Sequence, residues 1–474
     1  MTNLLPSPNF DSSRLAKIFF LLFLISLFFP VRYVFPTASS FATGLYSDFT
    51  SISLYLSDIL LFIAFLFILW HNKQHLSLFV KNNSPIMALI VWLLIVFIWQ
   101  IKSISGLNIW YFVKFFELVI VAYGTTFLIF KNQEPRTKNY FLSSFVALGT
   151  LQSVIGLLQF INQSPIGLNA VGEQIIYPNL WGVAKIACPV ACQFIGSATG
   201  VSSGTTFIRA YGTFPHPNLL GAFLVATILI NIYLLVNYQR SFFRKSQSLI
   251  SNFQSPILWL NLALFINILG LTVTFSRGAF LALAVGLIVY FGFSIVNRGK
   301  GANGSLVMVI VMVIVSLASA FALFRPFLLT RATVSDQATI ERKVYNQTAV
   351  NMVKNKPIFG LGMGESVLHM KQFSPVDLNS WQIQPIHNYF LLSAAELGIP
   401  GALILIWIFL FHLKSLILNL KSRFDSYNLL LTTLLLIFLV LMLFDHYFYT
   451  LQQTQILLWM VLGLIAAETH KFAP

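Results

Sequence analysis

The chain has 474 residues, of which 57% are hydrophobic and only 9% charged. A water-soluble domain carries about 25% charged residues, so an ordinary soluble globule is excluded, as the mean hydropathy of +0.80 also indicates. The formal charge of +15 would suit a nucleic-acid partner, but the distribution of the basic residues along the chain argues for a membrane instead.

The apolar residues fall in blocks of about 17 to 25, the length a helix needs to cross ~30 Å of hydrocarbon. Blocks such as 306–324 are apolar on every face and show no period-two alternation. They therefore read as helices and not as strands of a closed barrel. In chain order the expected spans are 15–35, 51–70, 85–101, 109–130, 140–162, 217–237, 256–275, 279–296, 305–324, 388–411, 427–445 and 452–467. The first is too long for a cleavable signal peptide, contains Pro30 and Arg32, and lacks a small-residue cleavage site. The expected fold is all-α and integral to the membrane, with about twelve transmembrane helices in a single polytopic domain over 1–474. Residues 325–387 form a loop subdomain between helices nine and ten.

With the N-terminus inside, every inner segment is basic: Arg14 and Lys17; Lys73 and Lys81; Lys131, Arg136 and Lys138; Arg240, Arg244 and Lys245; Arg298 and Lys300; Lys414, Lys421 and Arg423; and Lys471. The short outer loops hold only Lys102 and Arg277. This asymmetry is the positive-inside bias, and it predicts both termini in the cytoplasm and the two long loops outside.

Within the fourth span, Lys114 and Glu117 are three apart and can neutralise each other in the bilayer; a place near a substrate is the other reading of Lys114. The loop at 163–216 is partly apolar over 175–190 and is expected to lie on or dip into the membrane. Cys188 and Cys192 fall there, at a spacing that suits packing on one helix face better than a disulfide. At its end stands Arg209-Ala-Tyr-Gly-Thr-Phe-Pro-His216-Pro217-Asn218. Pro217 suits a first helical turn, whose free N–H groups attract anions. A cap with an aromatic belt would explain part of this segment but requires neither the Arg nor the His.

Thr274-Phe-Ser276-Arg277-Gly278 forms the next outer turn. Snorkelling would make Arg277 cheap near the interface, although the outer side is the disfavoured one for an incidental arginine. In the long loop, 339–354 reads as an amphipathic helix with Ile340, Val344 and Tyr345 to one side, stopped by Pro357. Gly360-Leu-Gly362-Met-Gly364 lacks the strand and helix of a dinucleotide fold and reads as a tight turn that docks the loop helix. His387-Asn388 opens the tenth span, and an imidazole suits proton transfer near neutrality. Asp58 and the Asp445-His446 pair stay open, with packing or interface roles preferred to chemistry.

Together these residues resemble the O-antigen ligase and polymerase family of bacterial surface-glycan enzymes. The family shows an arginine and an HPN-like segment before a middle helix, an SRG-like turn, and a long extracytoplasmic loop that ends in a histidine. The ligase pattern, a His with Asn, Ser or Gln, nine residues, Gly, two residues and Gly, Thr or Tyr, is matched by His387-Asn388, Gly398 and Gly401. Pro357-Ile-Phe-Gly360-Leu-Gly362 resembles the loop's P-x-x-G-x-G turn. The likeness is strong over about 205–405 and elsewhere rests on topology. The polymerase spacing of an arginine, ten residues and a glycine is missed by one at Arg209 and Gly221, so the ligase is preferred.

The resemblance implies transfer of a glycan from an undecaprenyl-diphosphate donor to a glycan, lipid or protein acceptor at the outer face of the cytoplasmic membrane. No metal or other cofactor is implied, and no nucleic acid. Arg209 and Arg277 would bind the diphosphate, whose oxygens their forks match. His387 would orient or deprotonate the acceptor hydroxyl, with inversion at the sugar carbon. His216, Asn218, Asn388 and Lys114 are the expected substrate-binding residues. Two other classes stay open: a twelve-helix secondary transporter, which would show internal repeats, and a structural partner of glycan export, which would need no histidine–arginine cluster.

Overall fold

A computed structural model describes residues 12–71, 73–131, 135–187, 206–244, 250–297, 303–333, 337–422 and 424–469. Each apolar block of the sequence holds a helix: α1 (Ser12–Leu27), α2 (Leu56–His71), then, after the short α3 (Lys73–Asn82), α4 (Ser84–Trp99), α5 (Gly106–Lys131) and α6 (Pro135–Asn162). Next come α7 (Pro217–Arg244), α8 (Ile250–Val273), α9 (Arg277–Val296) and α10 (Asn303–Thr333), followed by the loop helices α11 (Gln337–Asn355) and α12 (Met370–Phe373). The chain closes with α13 (Tyr389–Ser422), α14 (Ser426–Met442), the one-turn α15 (Tyr447–Thr450) and α16 (Gln452–Thr469).

Among the described residues, seven helices are long and apolar enough to cross a membrane: Gly106–Phe127, Lys138–Asn162, Pro217–Arg240, Pro256–Val273, Arg277–Val296, Gly304–Ala332 and Tyr389–Ser422. The pair Leu76–Asn82 and Ser84–Trp99, bent by 89°, makes an eighth if it is one span. The count is below twelve chiefly because several helices are short. α1 and α2 have 16 residues and α14 has 17, about 24–26 Å at 1.5 Å per residue. The first two expected spans are cut back for a visible reason. Pro30 has no N–H to extend a helix, and the chain instead forms β1 (Arg32–Phe35) antiparallel to β2 (Ile52–Tyr55). A second ribbon pairs β3 (Lys185–Ala187) with β4 (Thr206–Ile208). The fold is thus mostly helical but not all-α. Cys188 and Cys192 lie outside the described residues.

α7 is the hub. The whole of its apolar window is buried, and it packs against α6, α8, α9, α10 and α14. A helix apolar all round belongs in an interior, and its polar Asn231 and Thr227 are fully buried with it. Gly221, in its second turn, is needed for close approach. A Cβ there would come within 2.9 Å of Ala279 Cβ and 3.2 Å of Ser276 Cβ, so a side chain would push the start of α7 off the turn that precedes α9.

The long loop is built on α11, which buries Tyr345, Ala349 and Met352 against Met370, Ile383 and Ile386. Ile340 is 66% exposed and lies off this face, contrary to the amphipathic pattern expected. The glycine run then docks on α13. Gly398 interrupts that helix at φ 75° and ψ 171°, a region that L side chains avoid. At the break Ile399 N–H donates to Pro357 O (2.8 Å), while Leu361 and Gly362 N–H donate to Ala395 O (2.9 Å) and Glu396 O (3.0 Å). The Glu396 carboxylate accepts from Gly364 N (2.8 Å), Ser366 N (3.3 Å) and Ser366 Oγ (2.6 Å). The run therefore pairs with helix backbone, as a docking turn does.

Candidate active site

Four stretches of chain converge where α7, α9 and α13 begin and α14 ends. Arg209 is 6% exposed; its Nε donates to Thr274 O at 2.6 Å and its Nη2 to Asn218 Oδ1 at 2.7 Å. Asn218 turns its Nδ2 to Asp445 Oδ2 at 3.0 Å. One amide thus links a cation on one side to a carboxylate on the other, which fixes its orientation. Arg342, from α11, faces the same Asp445 oxygen at 3.8 Å. The other oxygen of Asp445 accepts from His446 N at 2.9 Å.

The turn before α9 is held from both sides. Phe275 sits at φ 47°, a left-handed conformation that costs a non-glycine residue about 1–3 kcal/mol and persists only where surroundings enforce it. Arg209 takes the carbonyl before it, and Arg331 Nε donates to Phe275 O itself at 3.4 Å. Ser276 caps α9, its Oγ accepting from Ala279 N at 3.4 Å. Arg277 follows as the first helical residue, exposed beside Gly278.

His387 lies just before α13. Its ring stacks on Tyr345 at 5.4 Å and 16°, and meets His446 edge-on at 4.8 Å and 86°. His216 precedes α7, with Nδ1 accepting from Asn218 N at 3.2 Å. A cavity of about 390 Å³ opens over this cluster, with Lys185, Arg209, Arg277, Arg331 and Arg342 in its wall against Glu341 and Asp445. Among the described residues the lining thus holds five cations and two carboxylates, an excess of positive charge of the kind that attracts anions. A second cavity, of about 600 Å³, adjoins it, and both are walled by His216, Asn218, Gln384, His387, Asp445 and Tyr447.

The imidazoles are poised as neutral groups. Burial, reinforced by Arg209, drives His216 down to about 3 against the opposing pull of Asp445. Burial and then His387 drive His446 down to about 3. His387 is lowered as well, by burial first and Arg342 after it, with Asp445 pulling the other way. Burial would raise Asp445, but His387, His446 and Arg342 outweigh it and hold the carboxyl below its ordinary range. A neutral ring nitrogen at pH 7 can accept a proton.

Of the residues singled out in the sequence, Arg209, His216, Asn218, Arg277 and His387 line the first cavity together. Asn388 does not. Its Oδ1 accepts from Phe390 N and Leu391 N, both at 3.0 Å, and its Nδ2 donates to Leu443 O at 3.1 Å. It caps α13 and ties it to the end of α14. Lys114 also lies elsewhere, bonded to Asp58, to Glu117 Oε2 (2.9 Å) and to Gln452 Oε1 (3.0 Å). Asp445, His446, Arg342 and Tyr345 were not picked out as site residues. An acid–histidine pair at a helix end was the available signal for the first two.

His387, Asp445 and His446 each offer one ligand atom, all within 4.8 Å of one another, a spacing that a divalent cation accepts. Asp445 is already bonded to Asn218 and faced by Arg342, so positive charge is supplied there by the protein itself.

No curated protein matches the chain. Residues 262–406 match the family model Wzy_C, described as O-antigen ligase; this stretch includes Arg277 and His387 but not Arg209, His216 or Asp445. The chain is thus a multi-pass membrane protein whose residues 262–406, a stretch that ends just past the break in α13, match the O-antigen ligase family model.

Proposed function

We propose that the protein transfers a glycan from undecaprenyl diphosphate to an acceptor hydroxyl at the outer face of the cytoplasmic membrane, with twelve crossings and both termini inside. The observation that carries this reading is the cation-rich cavity that His387 borders. Bond cleavage leaves a lipid diphosphate with more negative charge than it had when sugar-bound. Preorganised arginines in a partly dry pocket stabilise that change. Arg277, exposed to the cavity, and Arg342 are the groups placed to meet phosphate oxygens; Arg209, bound to Thr274 and Asn218, sets the geometry and adds its charge. His387 takes the acceptor proton while the hydroxyl oxygen attacks the anomeric carbon from the face opposite the leaving group, so the configuration inverts. No step requires a metal. Ligase is preferred to polymerase because Gly221 stands one residue too far from Arg209 for the polymerase spacing.

The test is reconstitution of the full chain in liposomes with lipid-linked glycan and candidate acceptors, read by gel for product. Product that requires both protein and donor is expected; movement of glycan across the bilayer without a new bond would make the protein a transporter. Sidedness is checked with single cysteines at Ser380 or Asn297 in a variant whose Cys188 and Cys192 are replaced by Ser. In intact cells a membrane-impermeant thiol reagent should label the first and spare the second.

A further inference from the structure

We infer that the second cavity is a carbohydrate subsite that holds neutral sugar residues of the acceptor, next to the bond that reacts; this rests on the transferase reading above. The two cavities share a wall but differ in chemistry. Among the described residues, the first has five lysine or arginine side chains in its lining, whereas the second has none. One of the two carboxylates of the second cavity, Asp48, is already paired with Arg32 at 2.8 Å. It also accepts from Tyr46 Oη at 2.8 Å. The other, Asp445, belongs to the shared wall. Neither a phosphate nor a strongly cationic ligand is matched there.

Its lining matches sugar. Trp181 and Trp381, from two separate loops, meet at 6.0 Å with rings at 90°, and they are 71% and 38% exposed. Tyr46, from a third loop, is 46% exposed in the same lining. Large aromatic faces left open to water give the C–H face of a pyranose a surface to stack on, and few charged groups compete for it. Thr43, Ser47, Ser380 and Gln384 add neutral donors and acceptors, which suit hydroxyls and fix orientation in a mainly apolar pocket. At about 600 Å³ the space exceeds the first cavity and accommodates more than one sugar ring.

The shared wall then gives the reaction its direction. An acceptor seated in the second cavity presents a hydroxyl to His387 from one side, and the donor diphosphate lies among the arginines on the other. A bond forms between the acceptor oxygen and the anomeric carbon. The bond from that carbon to the phosphate oxygen breaks, the hydroxyl proton passes to a ring nitrogen of His387, and the electron pair leaves on undecaprenyl diphosphate.

Binding to the full chain in nanodiscs tests this with two probes: the pooled oligosaccharides that mild acid frees from the envelope of cells making the protein, and undecaprenyl diphosphate without sugar. Truncation of an aromatic anchor commonly costs tenfold or more in affinity. Trp181→Ala and Trp381→Ala should each weaken the oligosaccharides about tenfold or more, leave undecaprenyl diphosphate unchanged, and be rescued in part by Phe. Arg277→Lys should do the reverse. Tyr46→Ser, on an independent loop, replaces either tryptophan variant that fails to fold. Failure of the wild type to bind the pool, or equal binding by the double tryptophan variant, overturns the subsite. Failure of undecaprenyl diphosphate to bind the wild type instead overturns the donor reading and leaves the aromatic site standing.

Discussion

Lys114 and Arg342 are both cations set beside carboxylates, yet their surroundings differ in charge balance. Lys114 has two carboxylates, Asp58 and Glu117, and an amide oxygen of Gln452. All three charged side chains are 11–13% exposed. Gln452 bonds on to Ser57 at 2.8 Å, so α2, α5 and α16 are laced together. Arg342 shares one carboxylate with two histidines and lines a cavity with four further cations. In the first network one cation and two carboxylates close on one another; in the second, the described cations outnumber the carboxylates around an open cavity. The difference separates a polar cluster that closes on itself across three helices from one that borders a cavity of about 390 Å³, although both hold charge in an apolar protein.

The comparison is broken most severely at His387. His387→Ala should lower transfer by about 10²–10⁴-fold, the range of general-base contributions, while donor binding persists. His216→Ala should cost less, because its Nδ1 is committed to the Asn218 backbone. Unchanged transfer in His387→Ala, assayed at equal protein, would remove the catalytic role.

Arg277→Lys keeps a charge but loses the planar fork. We expect a loss of about 10²–10³-fold in turnover, as for removal of one preorganised donor, with normal expression and thermal stability. Activity within threefold of wild type would make Arg277 an interfacial anchor.

Lys114→Met should give the opposite pattern. It strands Asp58 and Glu117 in the interior, at a cost of about 3–5 kcal/mol for a broken buried pair. A sharp fall in folded yield is expected, with near-normal turnover and donor affinity in the protein that survives. A stable but inactive Lys114→Met would return Lys114 to the substrate.

The smallest effect concerns pH. His387 is lowered from its ordinary 6.5, so its free base persists below that value, and activity should fall only when the pH drops through the lowered folded pKa. The acid limb of the turnover profile should therefore lie below 6.5 and should vanish in His387→Ala. An acid limb above 6.5 would contradict the neutral-base reading. Chelators sharpen the same point. Unaltered turnover in EDTA is expected, and a loss restored by one metal would give His387, Asp445 and His446 to that metal.

Much of this arrangement was legible in the sequence because local pattern determines it. Helix blocks declare themselves by length and unbroken apolarity, and Pro217 marks a helix start. Arg209, Arg277 and His387 stood out as polar groups at the ends of apolar blocks. What could not be read depends on partners distant in the chain. Asn218 reaches Asp445 across 227 positions, and no periodicity reports that pairing. Lys114 showed its neighbour Glu117 but not Asp58, 56 positions away. The ribbon of β1 and β2 was absorbed into apolar spans because Tyr33, Val34, Ile52 and Leu54 suit a strand as well as a membrane helix.

The seam at the break in α13 bears on where the chain tolerates change. The loop enters it at Pro357–Ser366 on bonds to Ala395, Glu396 and Ile399, and Asn388 anchors the far end to Leu443. The stretch around Val376 and Asp377 is exposed, as tolerant insertion points are. Lengthening or swapping the chain there would leave His387 seated where it is. The middle of that loop is thus where the chain can change length without moving the cavity wall that holds His387.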